Sequence, residues 1–489
     1  MSFNVLPVLL KDGYKVGHVF QYPADTEYVY SNFTPRKSRT GFDGVIFFGL
    51  QYFLKEYLIK QFNENFFAKP KDVVLREYKR RITNYLGPIS VDHIGKLWDL
   101  GYLPLRIKAV PEGTFVPVNV PVLTIRNTKP EFFWVTNMLE SVMSNLLWKG
   151  TTSATTAFQY RRNFEQFAKE TGSSRDFIKW QGHDFSFRGM SGIEDAVLSG
   201  GAHLLSFTGT DTIPAIDFLE QYYNANSDRE LIGGSVPATE HSVMCMGLPE
   251  NEVNTFKRLL TEIYPTGILS VVSDTWDFWK VIDVYLPELK DIILSRNGKL
   301  VIRPDSGDPV DIICGTGNSN DPESVQKGAI ERLWEIFGGT YSKLGFKELN
   351  SHIGLIYGDS ITLERQMQIL TKLKAKGFAS TNVILGVGSF TYEYVTRDTY
   401  AFAMKATWGQ TKSRGAMDIF KDPKTDSGMK KSHRGLLRLD RDANNNIICK
   451  QQCSLEEEHG GLLETVFLDG KIIKDQKLSE IRNRVESQL

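Results

Sequence analysis

The feature that most restricts the fold lies between Ile178 and about residue 400, where short apolar runs each end in a small cluster of glycine and polar residues. Most of these runs are followed by a helical pattern. In order the run ends read Gly182-His183-Asp184-Phe185 with Arg188, Gly209-Thr210-Asp211 after Leu204 to Phe207, Glu240-His241 after Val236, and Ser273-Asp274 after Ile268 to Val272. Next come Arg303-Pro304-Asp305 after Leu300 to Ile302, Gly358-Asp359 after Ile353 to Tyr357, and Gly386-Val387-Gly388-Ser389 after Val383 to Leu385. Helices between them are signed by Asp321 as a cap with Pro322 at the first position, and by Thr362 to Lys376 closed at Gly377. Strands that alternate with helices must run parallel, and charged strand ends in series predict a (β/α) barrel-like core with its site at the carboxyl face. A doubly wound open sheet is the alternative, and it would gather the site at one crevice.

The flanks have a different character. Glu27 to Phe33 alternates like a strand, and Leu105 to Arg126 is punctuated by Pro111, Gly113, Pro117 and Pro121 as short antiparallel strands are. After Tyr400 the chain returns to β character, with turns expected at Asn444 to Asn446 and at Asp469-Gly470. We therefore expect a mixed α/β chain in three stretches: 1–150, helical and β-rich; 151–400, the barrel-like core; and 401–489, a β-rich segment packing with the first. The N- and C-terminal segments together would build one additional β-rich domain.

Composition excludes several classes. The 489 residues carry 58 basic and 58 acidic side chains, and this zero balance argues against a general binder of nucleic acid or membrane surface. No apolar stretch approaches a membrane span, and the run Val5 to Leu10 is broken by Pro7. Cys245, Cys314, Cys449 and Cys453 follow no zinc spacing, so reduced thiols and a cytoplasmic location are expected.

The strand ends suggest a chemistry. Arg188, Arg303 and Arg397 supply forks for phosphates, and the Gly386 to Ser389 turn supplies backbone donors. Asp305 and Asp359 suit ribose hydroxyls or magnesium. A ribose-phosphate ligand fits that inventory. Each residue also has a plain structural reading, since an Arg–Asp pair often closes a loop and a strand-end Asp often caps the next helix.

Seven strings now carry a resemblance: Asp12-Gly-Tyr-Lys-Val-Gly-His18, His183-Asp-Phe-Ser-Phe-Arg188, Gly209-Thr-Asp211, Ser235-Val-Pro-Ala-Thr-Glu-His241, Ser270-Val-Val-Ser-Asp274, Ile302-Arg-Pro-Asp-Ser-Gly307 and Phe420-Lys-Asp-Pro423. In this order they resemble the nicotinamide phosphoribosyltransferases of the type II phosphoribosyltransferase family. The resemblance implies transfer of phosphoribose from phosphoribosyl pyrophosphate to nicotinamide, giving nicotinamide mononucleotide and pyrophosphate in NAD salvage. It also implies Mg2+, ATP as co-substrate acting through a phosphohistidine, and a homodimer with active sites at the interface.

By the same resemblance Phe185 stacks on nicotinamide, with Tyr14 of a second chain on the other face. Arg188 lies near the ring and pyrophosphate, and Asp211 takes the carboxamide N–H, which disfavours a carboxylate there. Arg303 and Asp305 match the ribose and pyrophosphate ligands, Gly358 and Asp359 continue the ribose contacts, and Ser270 is a further substrate-binding position. His241 is the phosphorylated histidine, with Asp274 expected to orient it. Gly388, Arg397 and Lys405 match the 5′-phosphate positions, Ser389 beside them is counted among the substrate-binding residues, and Arg36, Lys421 and Lys430 match basic residues near nucleotide phosphates. The ligands of magnesium stay unassigned. Ser389 stands where a glycine is usual and Ala403 where a serine hydroxyl contacts phosphate, which puts the strength of ATP coupling in question. Two alternatives remain: nicotinate phosphoribosyltransferase, and a catalytically silent relative.

Overall fold

The computed structural model describes residues 5–358, 360–425 and 431–489, and it divides into two compact units. Asp359 and Lys430 lie outside the described residues.

The first unit to consider comprises residues 156–218 and 226–394. Its sheet has six strands: β1 (Gly182–Asp184), β2 (Gly209–Thr210), β3 (Thr266–Val272), β4 (Asn297–Arg303), β5 (Ile353–Tyr357) and β6 (Val383–Val387). They lie in the order β2-β1-β6-β5-β4-β3, and every neighbour pair is parallel. All six carboxyl ends therefore open on one edge.

The two outer strands are joined by an irregular stave. Parallel bridges link Gly209 to Gly234 and Ala238 to Ser270, so residues 234–239 close the sheet into a ring. Four backbone hydrogen bonds make this seam: Thr210 N–H to Gly234 O, Gly234 N–H to Thr208 O, Thr239 N–H to Ser270 O and Ser270 N–H to Pro237 O.

Period-two burial explains what the ring faces. Leu269, Val271, Leu300, Ile302, Leu355 and Leu385 belong to one buried cluster with helical residues such as Ile313, Ile330 and Ile369. The intervening positions face the other way, and there large residues such as Val301, Ile356 and Ile384 alternate with the small Ser270, Gly354 and Gly386.

The helices that matter for the site are α1 (Ile193–His203), α2 (His241–Gly247), α3 (Pro309–Cys314), α4 (Leu363–Ala375) and α5 (Ser389–Tyr392). Asp308 caps α3 by accepting from Val310 and Asp311 N–H, and the Thr362 hydroxyl accepts Arg365 N–H at the start of α4.

Three sequence expectations are corrected. Leu204 to Phe207 is no strand: the Leu204 and Phe207 amides bond back to Gly200 and His203 carbonyls, so the run continues the turn of α1. Asp321 is not a cap, because its carboxylate accepts the Thr316 hydroxyl at 2.6 Å and the next helix begins at Glu323. The Val236 run forms single bridges instead of a regular strand.

The second unit comprises residues 1–155, 219–225 and 395–488. Its seven-stranded sheet is antiparallel throughout and runs Gly415–Asp418, Ala403–Thr411, Thr26–Thr34, Leu123–Asn127, Leu105–Ala109, Glu464–Leu468, Lys471–Ile472. Strands from both ends of the chain thus share one sheet, the β-rich part built from N- and C-terminal segments. Asp469 and Gly470 take φ of 47° and 80° in the hairpin between Glu464–Leu468 and Lys471–Ile472, and Asn445 takes 67° in the hairpin of a separate two-stranded sheet, Leu436–Arg441 with Ile447–Cys453, which is why Asp-Gly and Asn-rich turns stand there. No described helix is long and apolar enough to cross a membrane.

Candidate active site at the carboxyl edge of the barrel

Phe185 follows β1, and its N–H donates to Val387 O at 3.1 Å, fixing the residue at the mouth of the ring. Its aromatic face lies over two glycines. A Cβ on Gly386 would stand 2.6 Å from Phe185 Cδ2 and 2.9 Å from Gly358 Cα, and one on Gly358 would meet Asp305 Oδ1 at 2.5 Å. The glycines are therefore what allows Phe185, β5, β6 and Asp305 to converge. His183 packs on Phe185 with ring centroids 4.5 Å apart.

Asp211, just beyond β2, is held from three sides. Its Oδ1 accepts His183 Nε2–H at 2.8 Å and the Ser235 hydroxyl at 2.8 Å, and its own N–H donates to Asp184 O at 2.9 Å. Burial alone would raise the carboxyl pKa, but the His183 and Ser235 hydrogen bonds and the charge of Arg303 outweigh it and hold Asp211 below the usual range. Asp211 is thus an ionised acceptor.

Arg303 ends β4. One guanidinium nitrogen donates to Thr239 O at 3.0 Å, and Nε lies 3.5 Å from Asp305 Oδ2. That Nε is buried without a hydrogen bond, a donor waiting for an acceptor.

Asp274 follows β3, and the expected bond to His241 is not made. Its Oδ2 instead accepts Asp305 N–H at 2.9 Å and the Ser306 hydroxyl at 2.6 Å, so Asp274 organises the turn that carries Asp305. Its Oδ1 is buried, unbonded and 3.8 Å from His241 Nε2, beyond hydrogen-bond range. The ring partner of His241 is Thr275, whose hydroxyl lies 3.1 Å from Nδ1. His241 opens α2 at the end of the closing stave and is half-exposed.

The barrel unit thus brings together Phe185, Asp211, His241, Asp274, Arg303, Asp305 and Gly358 at one edge. Ser270 sits on β3 with its side chain buried beside the seam. Arg188 stands exposed on the short turn Phe187–Gly189, and that turn packs so closely on α5 that a Cβ at Gly189 would stand 2.1 Å from Ser389 Oγ. Around Gly388 there is open space, since an added Cβ there meets nothing within 4 Å.

Five expected residues belong to the antiparallel unit. Tyr14 lies on the turn Gly13–Gly17 with 65% of its surface exposed. Arg36, Arg397, Lys405 and Lys421 form one electrostatic group: burial lowers the Lys405 pKa, Glu140 opposes this, and the other three cations lower it further. Arg36 is anchored by donating Nε–H to Ala401 O at 3.0 Å. Such mutual repulsion among cations is relieved by an anion.

Three partners escaped the sequence reading: His183, Ser235 and Thr275. His183 and Ser235 lie inside the quoted strings and Thr275 directly follows one, and the missed signal is spacing. His183 precedes Phe185 by two residues, which in an extended segment puts both on one face.

A parallel ring with arginine, aspartate and histidine at its carboxyl edge is the architecture of a barrel enzyme for phosphorylated ligands. The fold is that of the type II phosphoribosyltransferases. It superposes on a nicotinate-nucleotide pyrophosphorylase from Pyrococcus furiosus with a TM-score of 0.61 at 14% identity, covering 100% of this chain and 98% of that one. Human nicotinic acid phosphoribosyltransferase superposes with a TM-score of 0.51 at 13% identity, covering 98% and 93%.

Residues 180–470 match the model of the nicotinate phosphoribosyltransferase family, and residues 6–107 match the N-terminal domain model of nicotinamide phosphoribosyltransferase. The chain is 53% identical over 503 aligned positions to the nicotinamide phosphoribosyltransferase of Acinetobacter baylyi, covering 100% of this chain and 99% of that protein. It is 36% identical to the enzyme of the same name from Mycoplasma pneumoniae, over 86% and 92% of the two chains. The chain belongs to the nicotinate phosphoribosyltransferase family, and it is a phosphoribosyltransferase.

Proposed function

We propose that the protein transfers phosphoribose from phosphoribosyl pyrophosphate to nicotinamide, releasing nicotinamide mononucleotide and pyrophosphate in NAD salvage, and that ATP drives the reaction through phosphorylated His241. The observation that carries the choice of base is the ionised Asp211 in the same cluster as the Phe185 ring. A carboxamide N–H satisfies that acceptor, whereas the carboxylate of nicotinate would face a like charge. Nicotinate, the acceptor in the name of the wider family, is therefore the second reading.

In this reading the pyridine N1 lone pair attacks the anomeric carbon as its bond to pyrophosphate breaks. Positive charge builds on the ribose, and Asp305 beside Arg303 suits the sugar hydroxyls and the departing oxyanion respectively. No covalent sugar intermediate is needed. Magnesium fits the donor set, since Asp274 Oδ1 is a buried carboxylate oxygen without a bond and the backbone N–H of Asp305 donates to the other oxygen of the same carboxylate at 2.9 Å. No described group of three or more side chains forms a closed cage, so the carboxylates of Asp274 and Asp305 would hold the ion together with substrate oxygens. The ion would offset the charge of the pyrophosphate.

His241 suits a phosphoryl acceptor because its nitrogens are distinguished. With Nδ1–H donated to Thr275, the lone pair on Nε2 stays available to attack the γ-phosphorus of ATP as ADP leaves. Arg36, Arg397, Lys405 and Lys421 are the cations assigned to phosphates, and a homodimer lending Tyr14 from a second chain completes the proposal. The four cysteines are free thiols, which suits the cytoplasm.

Product formation from nicotinamide and phosphoribosyl pyrophosphate, with and without ATP, tests this. Wild type should be stimulated by ATP, and His241→Ala should lose the stimulation while keeping a slow ATP-independent rate. Full stimulation in His241→Ala would remove the phosphohistidine from the mechanism.

A further inference from the structure

We infer that His183 is a positioning residue that sets the choice of base, by holding Asp211 in one orientation with a single carboxylate oxygen turned to the ligand; this rests on the nicotinamide reading above. An ionised carboxylate is acceptor-only, so the 2.8 Å contact places the proton on His183 Nε2 and fixes the tautomer. Ser235 donates to the same Oδ1 at 2.8 Å. Two donors on Oδ1 saturate it, and Oδ2 accepts nothing from the described residues. A carboxamide is therefore offered one acceptor in one place.

The imidazole is itself held on two further sides. One face packs on Phe185 at 4.5 Å between centroids. On another side Gly209 presents bare backbone, where a Cβ would stand 2.7 Å from His183 Nδ1. Only 8% of His183 is exposed, so the ring has little freedom to turn. One residue thereby ties the acceptor for the carboxamide to the ring that stacks on the base. Both contacts are made to the same heterocycle, and their relative placement decides whether stacking and hydrogen bonding occur together.

Removing the His183 donor leaves Asp211 free to rotate and easier to protonate. A protonated Asp211 offers an O–H to a carboxylate, and a rotated one no longer aims its charged oxygen at the place the carboxylate would take.

The test compares His183→Leu, which removes the donor, with His183→Gln, whose amide nitrogen reaches about where Nε2 lies. For His183→Leu the KM for nicotinamide should rise about tenfold with kcat changed far less, and the nicotinate-to-nicotinamide ratio of kcat/KM should rise by a similar factor. His183→Gln should restore most of both. Ser235→Ala, at an exposed position, should shift the ratio in the same direction by a smaller factor and guards against a folding failure in the leucine variant. An unchanged ratio in both His183→Leu and Ser235→Ala overturns the inference, as does a glutamine variant no better than leucine. Wild type that does not turn over nicotinamide would instead refute the nicotinamide reading, so the two failures are distinct.

Discussion

Gly386→Ala probes the site with one methyl group. The added Cβ would stand 2.6 Å from Phe185 Cδ2 and 2.9 Å from Gly358 Cα, where ordinary contact begins at 3.4 Å. The backbone of Gly358 belongs to the edge of β5 and yields little, so the Phe185 ring must move by about 0.8 Å or more to reach contact distance. Gly386 does not have positive φ, so alanine adds no backbone strain and the effect is steric alone. Overpacking of this kind costs about 1–3 kcal/mol of stability. A shift of roughly 1 Å in a positioning group lowers turnover on the order of 100-fold. We expect kcat/KM for nicotinamide to fall by about that factor in initial-rate assays at saturating phosphoribosyl pyrophosphate, with the melting temperature lowered by only a few degrees. A KM and kcat for nicotinamide within about twofold of wild type, in a folded variant, would refute the placement of the base on Phe185.

Two further outcomes follow from charge. Like charges about 4 Å apart repel by roughly 4 kcal/mol at an effective dielectric of 20, and screening trims this to on the order of 1–2 kcal/mol at a half-exposed site. Asp211→Ser should therefore raise the nicotinate-to-nicotinamide ratio of kcat/KM about tenfold, and an unmoved ratio would count against Asp211 as the discriminating group. His203 is buried with Nδ1 on the Tyr392 hydroxyl at 2.7 Å and Nε2 on Gly209 O at 3.1 Å, and burial pushes its pKa down to about 4. The folded state thus resists a proton that the unfolded chain takes up near pH 6.5. Stability on the order of 3 kcal/mol, present above pH 6.5, should be lost as pH falls toward 4. Melting curves against pH should show this slope and His203→Gln should flatten it; an equal slope in both would place the acid sensitivity elsewhere.

The barrel was legible because its signal is periodic and its punctuation is chemical. The apolar run Leu300 to Ile302 reads as a buried strand and Arg303-Pro304-Asp305 as its end, and both are so in β4. The seam was not legible. Residues 234–239 contain Pro237 and small polar side chains, and two isolated bridges leave no alternation to read. Likewise Leu204 to Phe207 looks like a strand because apolarity does not distinguish a buried turn from a buried strand. At the site, residue types announced themselves but pairings did not. Asp274 and His241 are both strand-end groups, and only three-dimensional placement shows that Asp274 serves the Asp305 turn while Thr275 meets the imidazole.

The closing stave has a dynamic consequence. Strands β3 and β4 are laced over seven registered positions, whereas the stave meets β2 and β3 through one isolated bridge each, with Ser235 on it and Glu240 and His241 directly after it. Amides along 234–239 should be the barrel's earliest to exchange with deuterium, and opening there parts the ring without unravelling the other strands. His241, the residue we propose to be phosphorylated, follows directly on this segment, so a change at that one side chain acts beside the seam that closes the ring.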